Sequence, residues 1–342
     1  MYRAVTERDA SFDGAFYFGV RTTGVFCRPG CGAKSPRRDN VLFFADALAA
    51  VRQGFRPCRR CKPLEPTGST PSWVRELFGL VERAPGRLSS SDLRAAGIHP
   101  VRAARWFKEH FGMTFHAYQR ARRIGSALRP IQTGSDVSSV ALASGFESES
   151  GFRAAFERLF GAAPTRVAPA VEPVRVHWIP TPLGPLLAAA RSEGLCFLEF
   201  VDRRALASQI ATLRRRVGAL LIPGEHPHLE RLRSELARYF EGRLRRFSVP
   251  VHAPGTAFQE RVWSELQRIP HGETRSYLEL ARAVGDAKAV RAVAAANGRN
   301  RIAIVIPCHR VIGSDGQLVG YAGGVWRKQR LLELERGTGQ HE

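Results

Sequence analysis

The sequence is poor in the features that mark membrane and secreted proteins. No apolar run approaches the about 18 residues that a membrane-spanning helix needs. The N-terminus, which begins Met1-Tyr2-Arg3-Ala4, has no apolar segment of the secretory kind. We therefore expect a cytoplasmic protein with no membrane contact. Six cysteines in 342 residues are too few for a disulfide framework, and their clustering favours metal ligands or nucleophiles.

Acidic residues are scarce relative to basic ones. The chain has 52 Lys and Arg against 31 Asp and Glu, a net charge of +21, and only five of the basic residues are Lys. Coding bias can explain the preference for Arg over Lys, but it does not explain the net excess. Residues 1–66, 67–170 and 171–342 carry +6, +6 and +9, so the excess is spread over the chain. A polyanion partner, DNA or RNA, is the simplest explanation.

The chain divides into three parts at two Pro-rich segments, residues 63–71 and 164–173, which are typical of linkers. The middle part contains a weak repeat, in which residues 106–112 resemble residues 155–161. Each copy has two Phe four residues apart and a Gly stop, and each follows a short Ala-rich helix with a Gly turn. This pattern predicts two helix-turn-helix units, with a plain helical bundle as the alternative.

The C-terminal half begins with apolar strand-like runs up to residue 201 and continues with helices near 203–217, 226–241 and 257–267. A third helix-turn-helix follows, in which Ser276 caps residues 277–284 and residues 287–297 form the second helix. That second helix is almost all Ala and Val. Small side chains suit a helix pressed against a duplex, although a helix buried in its own protein would look the same.

Four cysteines form two close pairs, Cys27 with Cys31 and Cys58 with Cys61. This repeated spacing predicts one zinc ion with four sulfur ligands, with a redox pair or a cluster as the alternatives. Four thiolates on Zn²⁺ leave a local charge of −2, which nearby arginines would offset. A zinc-bound thiolate can act as a nucleophile, whereas chemistry alone also allows a purely structural zinc knuckle. The basic residues closest in sequence are Arg28, Arg37, Arg38, Arg56, Arg59, Arg60 and Lys62.

The segments Arg21-Thr22-Thr23-Gly24-Val25-Phe26-Cys27-Arg28-Pro29-Gly30-Cys31 and Gly54-Phe55-Arg56-Pro57-Cys58-Arg59-Arg60-Cys61 resemble the zinc module of the Ada family. The resemblance implies that the first zinc-bound cysteine, Cys27, accepts a methyl group from a methylated DNA phosphate. The middle part likewise resembles the AraC-type DNA-binding domain that this family carries.

A second candidate nucleophile follows the apolar run Ile302–Ile306, which predicts a buried strand ending at Pro307. A free Cys has a pKa near 8.5, so Cys308 needs a nearby base to react at neutral pH. Adjacent strand residues point to opposite faces, so contact between Cys308 and His309 requires a turn or a bridging water. The alternative is an inert core cysteine, the interpretation we give to Cys196.

The segment Pro307-Cys308-His309-Arg310 resembles the active-site signature of the O6-alkylguanine-DNA alkyltransferases, and the likeness runs from about Phe258 to Glu335. It implies that Cys308 attacks the alkyl carbon and keeps it as a thioether. His309 would take the thiol proton through a water, and Glu335 would orient His309. We expect one turnover per site, because no Gly-rich phosphate loop or other cofactor pattern is present to regenerate the thiol.

The same resemblance implies contacts with DNA and with the lesion. Tyr277 would crowd the 3′ phosphate and bind the extruded guanine, and Arg291 would replace that base inside the duplex. Asn300 would join the helix-turn-helix to the Cys308 strand, and the backbone N–H of Ala322 would face O6. We also place Arg310 among the residues that bind DNA or substrate.

Together these features predict a multidomain α+β protein. We expect a four-cysteine zinc module at 1–66, an all-α tandem helix-turn-helix domain at 72–168, a ribonuclease-H-like α/β subdomain at 174–253 and a winged-helix-like alkyltransferase domain at 254–342. The expected partners are duplex DNA carrying O6-methylguanine or methylphosphotriesters, promoter DNA and RNA polymerase, and we expect a monomer. Methylation of Cys27 would remove one negative charge and strengthen promoter binding.

Two other functions compete with this one. A zinc-containing AraC-type transcription factor would have the same first two modules and an inert Cys308. A Cys-dependent hydrolase would use the same thiol, but no oxyanion motif is evident in the sequence.

Overall fold

The structure is a computed structural model that describes residues 1–65, 71–84, 86–111, 113–167, 172–203, 205–217, 220–318 and 320–337. The predicted linkers fall partly on residues 66–70 and 168–171, and the first predicted helix-ending glycine is residue 112. These positions lie outside the described residues. Within the described ranges, no helix combines the length and the apolar character needed to cross a bilayer.

The N-terminal module is a small sheet with two short helices. Its elements are α1 (Tyr2–Thr6), β1 (Tyr17–Val20), β2 (Val25–Cys27), β3 (Val41–Phe44), α2 (Ala47–Arg52) and β4 (Arg56–Pro57). Strand β1 pairs antiparallel with β2 and β3, and β4 adds parallel to β2. Buried Phe18, Phe26 and Phe44 fill its two small cores. The sheet places Cys27 at the end of β2 and Cys58 just after β4.

The middle part is all helical. It contains α3 (Ser72–Arg83), α4 (Ser90–Ala95), α5 (Pro100–Phe111), α6 (Phe115–Gln132), α7 (Val137–Ala143) and α8 (Glu149–Phe160). Gly97 and Gly145, with φ of +71° and +72°, make the turns between α4 and α5 and between α7 and α8. Ser148 caps α8 by accepting a hydrogen bond from Gly151 N. The predicted repeat of short helix, glycine turn and longer helix is confirmed.

A four-stranded sheet opens the C-terminal half. The elements are β5 (Val174–Ile179), β6 (Leu186–Arg191), β7 (Gly194–Phe200), α9 (Leu206–Val217), β8 (Leu221–Pro223) and α10 (Pro227–Phe240). The order is β7-β6-β5-β8, with β5 antiparallel to β6, β6 antiparallel to β7 and β8 parallel to β5. Helices α9 and α10 lie on opposite faces of this sheet, since their side chains belong to different cores.

The last part carries α11 (Ala257–Gln267), β9 (Arg275–Ser276), α12 (Tyr277–Val284), α13 (Val290–Gly298), β10 (Val311–Ile312) and α14 (Val325–Glu335). Capping boxes at Thr256 and Ser276 start α11 and α12 where the sequence predicts them. The second helix of the pair begins three residues later than predicted. Asp286 instead caps a 3₁₀ turn over Ala287–Ala289.

The predicted strand over Ile302–Ile306 is wrong, because the run is an irregular buried loop. Within it, Ile302 forms an isolated bridge with Leu198, and Ile304 has φ +70°. The Asn300 carboxamide bonds to the backbone of residues 302 and 306, which replaces a strand ladder. Cys308–Arg310 is a 3₁₀ turn. The sequence required either a turn or a bridging water for Cys308 to interact with His309, and the structure has a turn at these residues.

Helices α3 to α6 and the β5–β8 sheet share one hydrophobic core, whereas α7 and α8 pack on a separate one. Phe78 of α3 stacks on Trp178 of β5, with ring centroids 5.2 Å apart and planes 18° apart. Trp106 of α5 meets the same indole edge-on at 5.1 Å. Phe197 of β7 and Leu213 of α9 extend this core. The helical domain and the sheet are thus packed as one unit, although the sequence separates them by a Pro-rich segment.

Replacing Trp178 by Ala should destabilise this unit by about 3–5 kcal/mol, because it empties a buried aromatic site between two domains. Urea unfolding followed by circular dichroism measures the change. Leu142→Ala is the control, since Leu142 is 76% exposed and surface substitutions stay within about 0.5 kcal/mol. Unfolding of Trp178→Ala at the wild-type urea concentration would contradict the shared core.

Candidate active site and metal centre

Four cysteines converge at one end of the N-terminal sheet. The Sγ atoms of Cys27, Cys31, Cys58 and Cys61 all lie within 4.8 Å of one another, and those of Cys31 and Cys58 are 4.0 Å apart. Tetrahedral zinc with Zn–S bonds of about 2.3 Å holds its sulfurs roughly 3.8 Å apart. Donor type, number and spacing therefore fit one zinc ion. Cys27 and Cys31 are buried, whereas Cys58 and Cys61 are half-buried.

Backbone and arginine contacts hold the two cysteine pairs together. Cys58 N donates to Phe26 O at 3.0 Å, which ties the second pair to β2. Arg28 N approaches Cys61 Sγ at 3.5 Å, and its guanidinium donates to Lys62 O at 3.1 Å. The other arginines close to the cysteines in sequence are exposed, and we call them the arginine rim: Arg37, Arg38, Arg56, Arg59 and Arg60.

A cavity of about 560 Å³ opens beside Cys308, a size suited to a small ligand. Asn297 Nδ2 donates to the Tyr277 hydroxyl at 3.5 Å across one wall. Within the described residues, the buried Tyr321 hydroxyl has no hydrogen-bond partner. The cavity combines sequence-predicted residues with residues that the sequence did not indicate: Tyr277, Asn297, Asn300, Tyr321, Ala322 and Arg203.

Asn300 connects the loop before Cys308 to the sulfur itself. Its Nδ2 lies 3.1 Å from Cys308 Sγ and 2.9 Å from Ile306 O. Its Oδ1 accepts from Ile302 N at 2.9 Å. The predicted role of joining the helix-turn-helix to the Cys308 segment therefore has a direct geometric basis, and it includes a hydrogen bond to the reactive atom.

The Cys308 thiol is held in its neutral form by burial. Burial raises its pKa to about 11, and the Asn300 hydrogen bond offsets part of that rise. Lys328 is completely buried nearby, and burial lowers the pKa of its ammonium group to about 8. Lys328 Nζ donates to Val311 O at 2.5 Å. Because the Cys308 thiol is protonated at neutral pH, any reaction in which its sulfur acts as a nucleophile needs a base.

A buried carboxylate, Glu335, collects hydrogen bonds from four other residues. It accepts from His309 Nε2, from Arg310 Nε and Nη2, each at 2.8 Å, and from the Tyr239 hydroxyl at 2.7 Å. Gly272 N adds a bond of 3.2 Å. Burial alone would raise the pKa of Glu335, but the bonds from His309 and Arg310 hold it below its usual range. The group is therefore ionised.

His309 has one ring nitrogen free for chemistry. Burial lowers the pKa of this fully buried imidazole, which favours its neutral form. Because Glu335 is ionised, Nε2 must carry the proton that it shares with Oε1. Nδ1 is then the basic nitrogen, and it has no partner within the part of the chain that the structure describes. It is therefore available to accept the thiol proton.

Arg310 corrects one of the sequence predictions. Its guanidinium is bound to Glu335 and to Ile269 O and is buried instead of facing the surface. We therefore assign it to positioning Glu335 and not to contacting DNA. Arg291 and Ala322, in contrast, are exposed as a DNA or substrate contact requires.

Helix α13 has one buried face and one open face. Val293, Ala296 and Asn297 are buried, whereas Ala292 and Ala295 are exposed. The exposed face is therefore built of small side chains next to the Cys308 cavity. The structure thus supports a helix open to a partner surface over one buried on all sides.

Sequence reasoning missed four residues of the site: Tyr239, Asn297, Glu199 and Arg203. Asn297 lies in the predicted second helix and lines the cavity, and its polarity within an Ala-rich run was an available signal. Tyr239, Glu199 and Arg203 come from the sheet subdomain. No local motif links them to Cys308, because they meet it only through the tertiary fold.

Family models match most of the chain. Residues 1–64 match the metal binding domain of Ada and 93–169 match a helix-turn-helix domain. Residues 174–253 match the ribonuclease-like domain of 6-O-methylguanine DNA methyltransferase, and 257–337 match the DNA binding domain of the same family.

Curated relatives align over nearly the full length. The chain is 34% identical to the bifunctional transcriptional activator/DNA repair enzyme Ada of Escherichia coli K12, over 98% of this chain and 95% of the relative. It is 37% identical to the regulatory protein ada of Salmonella typhimurium, over 97% and 94%. It is also 46% identical to the methylated-DNA–protein-cysteine methyltransferase of Mycobacterium leprae, over 46% of this chain and 88% of the relative.

The four-sulfur geometry predicts about one zinc per purified chain, retained on dialysis against a mild chelator. Cys61→Ser should lose at least about nine-tenths of this zinc, because a serine hydroxyl is a much poorer zinc ligand than a thiolate. Elemental mass spectrometry measures the content. Cys196→Ala is the matched control, since Cys196 is buried in β7 away from the cluster. Equal zinc contents in the two variants would contradict this ligand set.

Proposed function

The chain belongs to the Ada family, and from that membership we propose that it moves methyl groups from damaged DNA onto two of its own cysteines and activates transcription. It is a methylated-DNA–protein-cysteine methyltransferase joined to a helix-turn-helix activator. The observation that supports Cys308 as an acceptor is its environment. The buried Cys308 thiol lines a cavity next to α13, and the residue that follows it in the chain, His309, is a neutral imidazole bonded to the ionised carboxylate of Glu335.

Methyl transfer to Cys308 follows from these groups. His309 Nδ1 takes the thiol proton through a water, and Glu335 stabilises the imidazolium that forms. The sulfur then attacks the methyl carbon of O6-methylguanine, a C–S bond forms and the C–O6 bond breaks. The electron pair of the C–O6 bond stays with the guanine, and the proton that left the thiol is returned to that base, so that a normal guanine, still attached to its strand, leaves the cavity. A methyl thioether is a poor leaving group, so each Cys308 reacts once.

The lesion must leave the duplex for this reaction, because a methyl group in the stack is not accessible to a protein sulfur in line. Extrusion costs a few kcal/mol and less for a poorly paired base. We assign the phosphate contact and the guanine hydrogen bond to Tyr277, which lines the cavity. Arg291, exposed on α13, takes the place of the base, and the N–H of Ala322 faces O6.

Cys27 is the proposed acceptor for methylphosphotriesters. Zinc, when bound by Cys27, Cys31, Cys58 and Cys61, keeps these sulfurs as thiolates at neutral pH. The arginine rim attracts the phosphate backbone. Cys27 is only 4% exposed, so transfer to it requires neighbouring groups to move aside. We further propose that the activator contacts RNA polymerase and acts as a monomer in the cytoplasm.

Methyl transfer is tested with duplexes that carry either isotopically labelled O6-methylguanine or a labelled methylphosphotriester. Wild-type protein should gain one methyl group on the Cys308 peptide from the first duplex and one on the Cys27 peptide from the second. Cys308→Ala should lose only the first transfer and Cys27→Ala only the second, because the two sulfurs lie in separate modules. Peptide mass spectrometry locates each methyl group.

Cys196→Ala serves as the control for a cysteine outside both sites and should retain both transfers. More than one methyl group released per Cys308 would refute the single-turnover mechanism. If the wild-type protein gained no label from either duplex, the methyl-transfer function would be refuted, and the remaining interpretation would be a zinc-containing DNA-binding protein.

Promoter binding should depend on the state of Cys27. Methylation removes one negative charge from the zinc centre. At about 8 Å and an effective dielectric constant of about 40, this is worth roughly 1 kcal/mol for each nearby phosphate. Two such phosphates predict at least about tenfold tighter binding to a duplex from upstream of the protein's own coding sequence.

Fluorescence anisotropy at fixed salt compares protein methylated at Cys27 with unmethylated protein. Protein methylated only at Cys308 is the control, and it should bind like the unmethylated form. Equal affinities of the two Cys27 forms would exclude the electrostatic switch.

A further inference from the structure

Arg203 links the β5–β8 sheet to the loop that carries Cys308. It lies in the turn after β7, and its side chain is only 8% exposed. The guanidinium pairs with the buried carboxylate of Glu199. Its Nη2 donates to Gly298 O at 2.9 Å, and its Nη1 lies 3.5 Å from Asn300 O. One side chain of the sheet therefore holds the chain on both sides of residue 299.

The edge of β7 supports the next residues of the same loop. Leu198 N donates to Arg301 O at 2.8 Å, and Ala303 N donates back to Leu198 O at 2.7 Å. The sheet subdomain thus fixes residues 298–303 at several successive points. This segment leads from the end of α13 to the loop before Cys308.

Asn300 is the central residue of that segment and also the residue that touches the sulfur. Its carboxamide nitrogen lies 3.1 Å from Cys308 Sγ. A displacement of the Asn300 backbone by about 1 Å would break this bond, since hydrogen bonds weaken steeply beyond about 3.5 Å. The position of Asn300 therefore controls the only polar side chain bonded to Cys308 Sγ among the described residues.

Stability alone does not account for the Glu199–Arg203 pair. Glu199 is 2% exposed, and burial raises its pKa, which Arg203 opposes. Buried ion pairs are weak stabilisers, because removing both charges from water offsets their attraction. The Arg203 guanidinium is instead stabilised by its hydrogen bonds to carbonyl groups at the C-terminus of α13, where the helix dipole favours a positive charge. Glu199 holds the guanidinium in the orientation that reaches both carbonyls.

We propose that Arg203, oriented by Glu199, is a positioning residue for methyl transfer that holds Asn300 against the Cys308 sulfur. The proposal rests on Cys308 being the acceptor. It gives the sheet subdomain a specific part in the reaction, although that subdomain supplies no reacting atom.

The test uses the full-length, zinc-loaded protein in single-turnover methyl transfer from an O6-methylguanine duplex. Arg203→Met should lower the maximal rate at least about tenfold, which equals about 1.4 kcal/mol. The duplex concentration at half-maximal rate should stay within about twofold of wild type, because the Arg203 side chain is only 8% exposed and its guanidinium is bonded to Glu199 and to the carbonyl groups of residues 298 and 300. Arg203→Lys should recover part of the rate, since an ammonium group can still reach one carbonyl.

Arg216→Met is the matched control. Arg216 belongs to the same subdomain and also donates to a backbone carbonyl of the C-terminal part, Gly255 O at 2.7 Å, but among the described residues it makes no hydrogen bond to the 298–303 segment. It should keep the wild-type rate. If Arg203→Met does not fold, as judged by circular dichroism, Arg203→Lys alone decides the matter, because it keeps the charge that Glu199 needs.

An unchanged maximal rate in the folded Arg203 variants would overturn the proposal. The proposal would also be overturned if the half-saturating duplex concentration rose by the same factor by which the rate fell, since that pattern indicates weakened DNA binding. Failure of the wild-type protein to methylate Cys308 would count against the proposed acceptor itself, and it is read in the same experiment.

Discussion

The C-terminal site depends on one buried carboxylate. Glu335, at the end of α14, receives donors from the Cys308–Arg310 turn, from α10 through Tyr239 and from the loop at Gly272. These bonds keep it ionised where burial alone would neutralise it. Its charge then fixes the tautomer of His309 and neutralises the buried guanidinium of Arg310. Four separate elements are thus joined at one group, which also explains why Arg310 cannot face DNA.

The two candidate sulfurs satisfy the same chemical requirement in opposite ways. The N-terminal sulfurs lie together, at a spacing that one zinc ion can bridge, and the metal supplies the charge that stabilises thiolates. Cys308 has no second cysteine beside it, and burial raises its pKa to about 11 even though Asn300 donates a hydrogen bond to the sulfur. A lasting thiolate is therefore unfavourable at Cys308.

Local sequence signals predicted most of the elements and the candidate nucleophiles, but not the tertiary contacts around them. The capping residue Ser276 allowed the start of α12 to be predicted to the residue, because capping is a local interaction. The run 302–306 failed as a strand, since an apolar β-branched sequence suits any buried segment and Asn300 satisfies its backbone. Arg310 was predicted to bind DNA or substrate because it lies close in sequence to the candidate nucleophile Cys308. Its side chain is instead oriented by its hydrogen bonds to Glu335. Arg203 and Tyr239 carry no local signal at all.

The cavity beside Cys308 is built by modules that are far apart in sequence. Ser11, in the 3₁₀ turn Ala10–Phe12 of the zinc module, lies on its lining. The carbonyl oxygen of Ser11 is 3.4 Å from the position that a Cβ on Gly324 would occupy. Gly324 also has φ +98°, so a larger residue there would be strained and would crowd the turn. The width of the cavity beside Ala322 therefore depends on both the first and the last module.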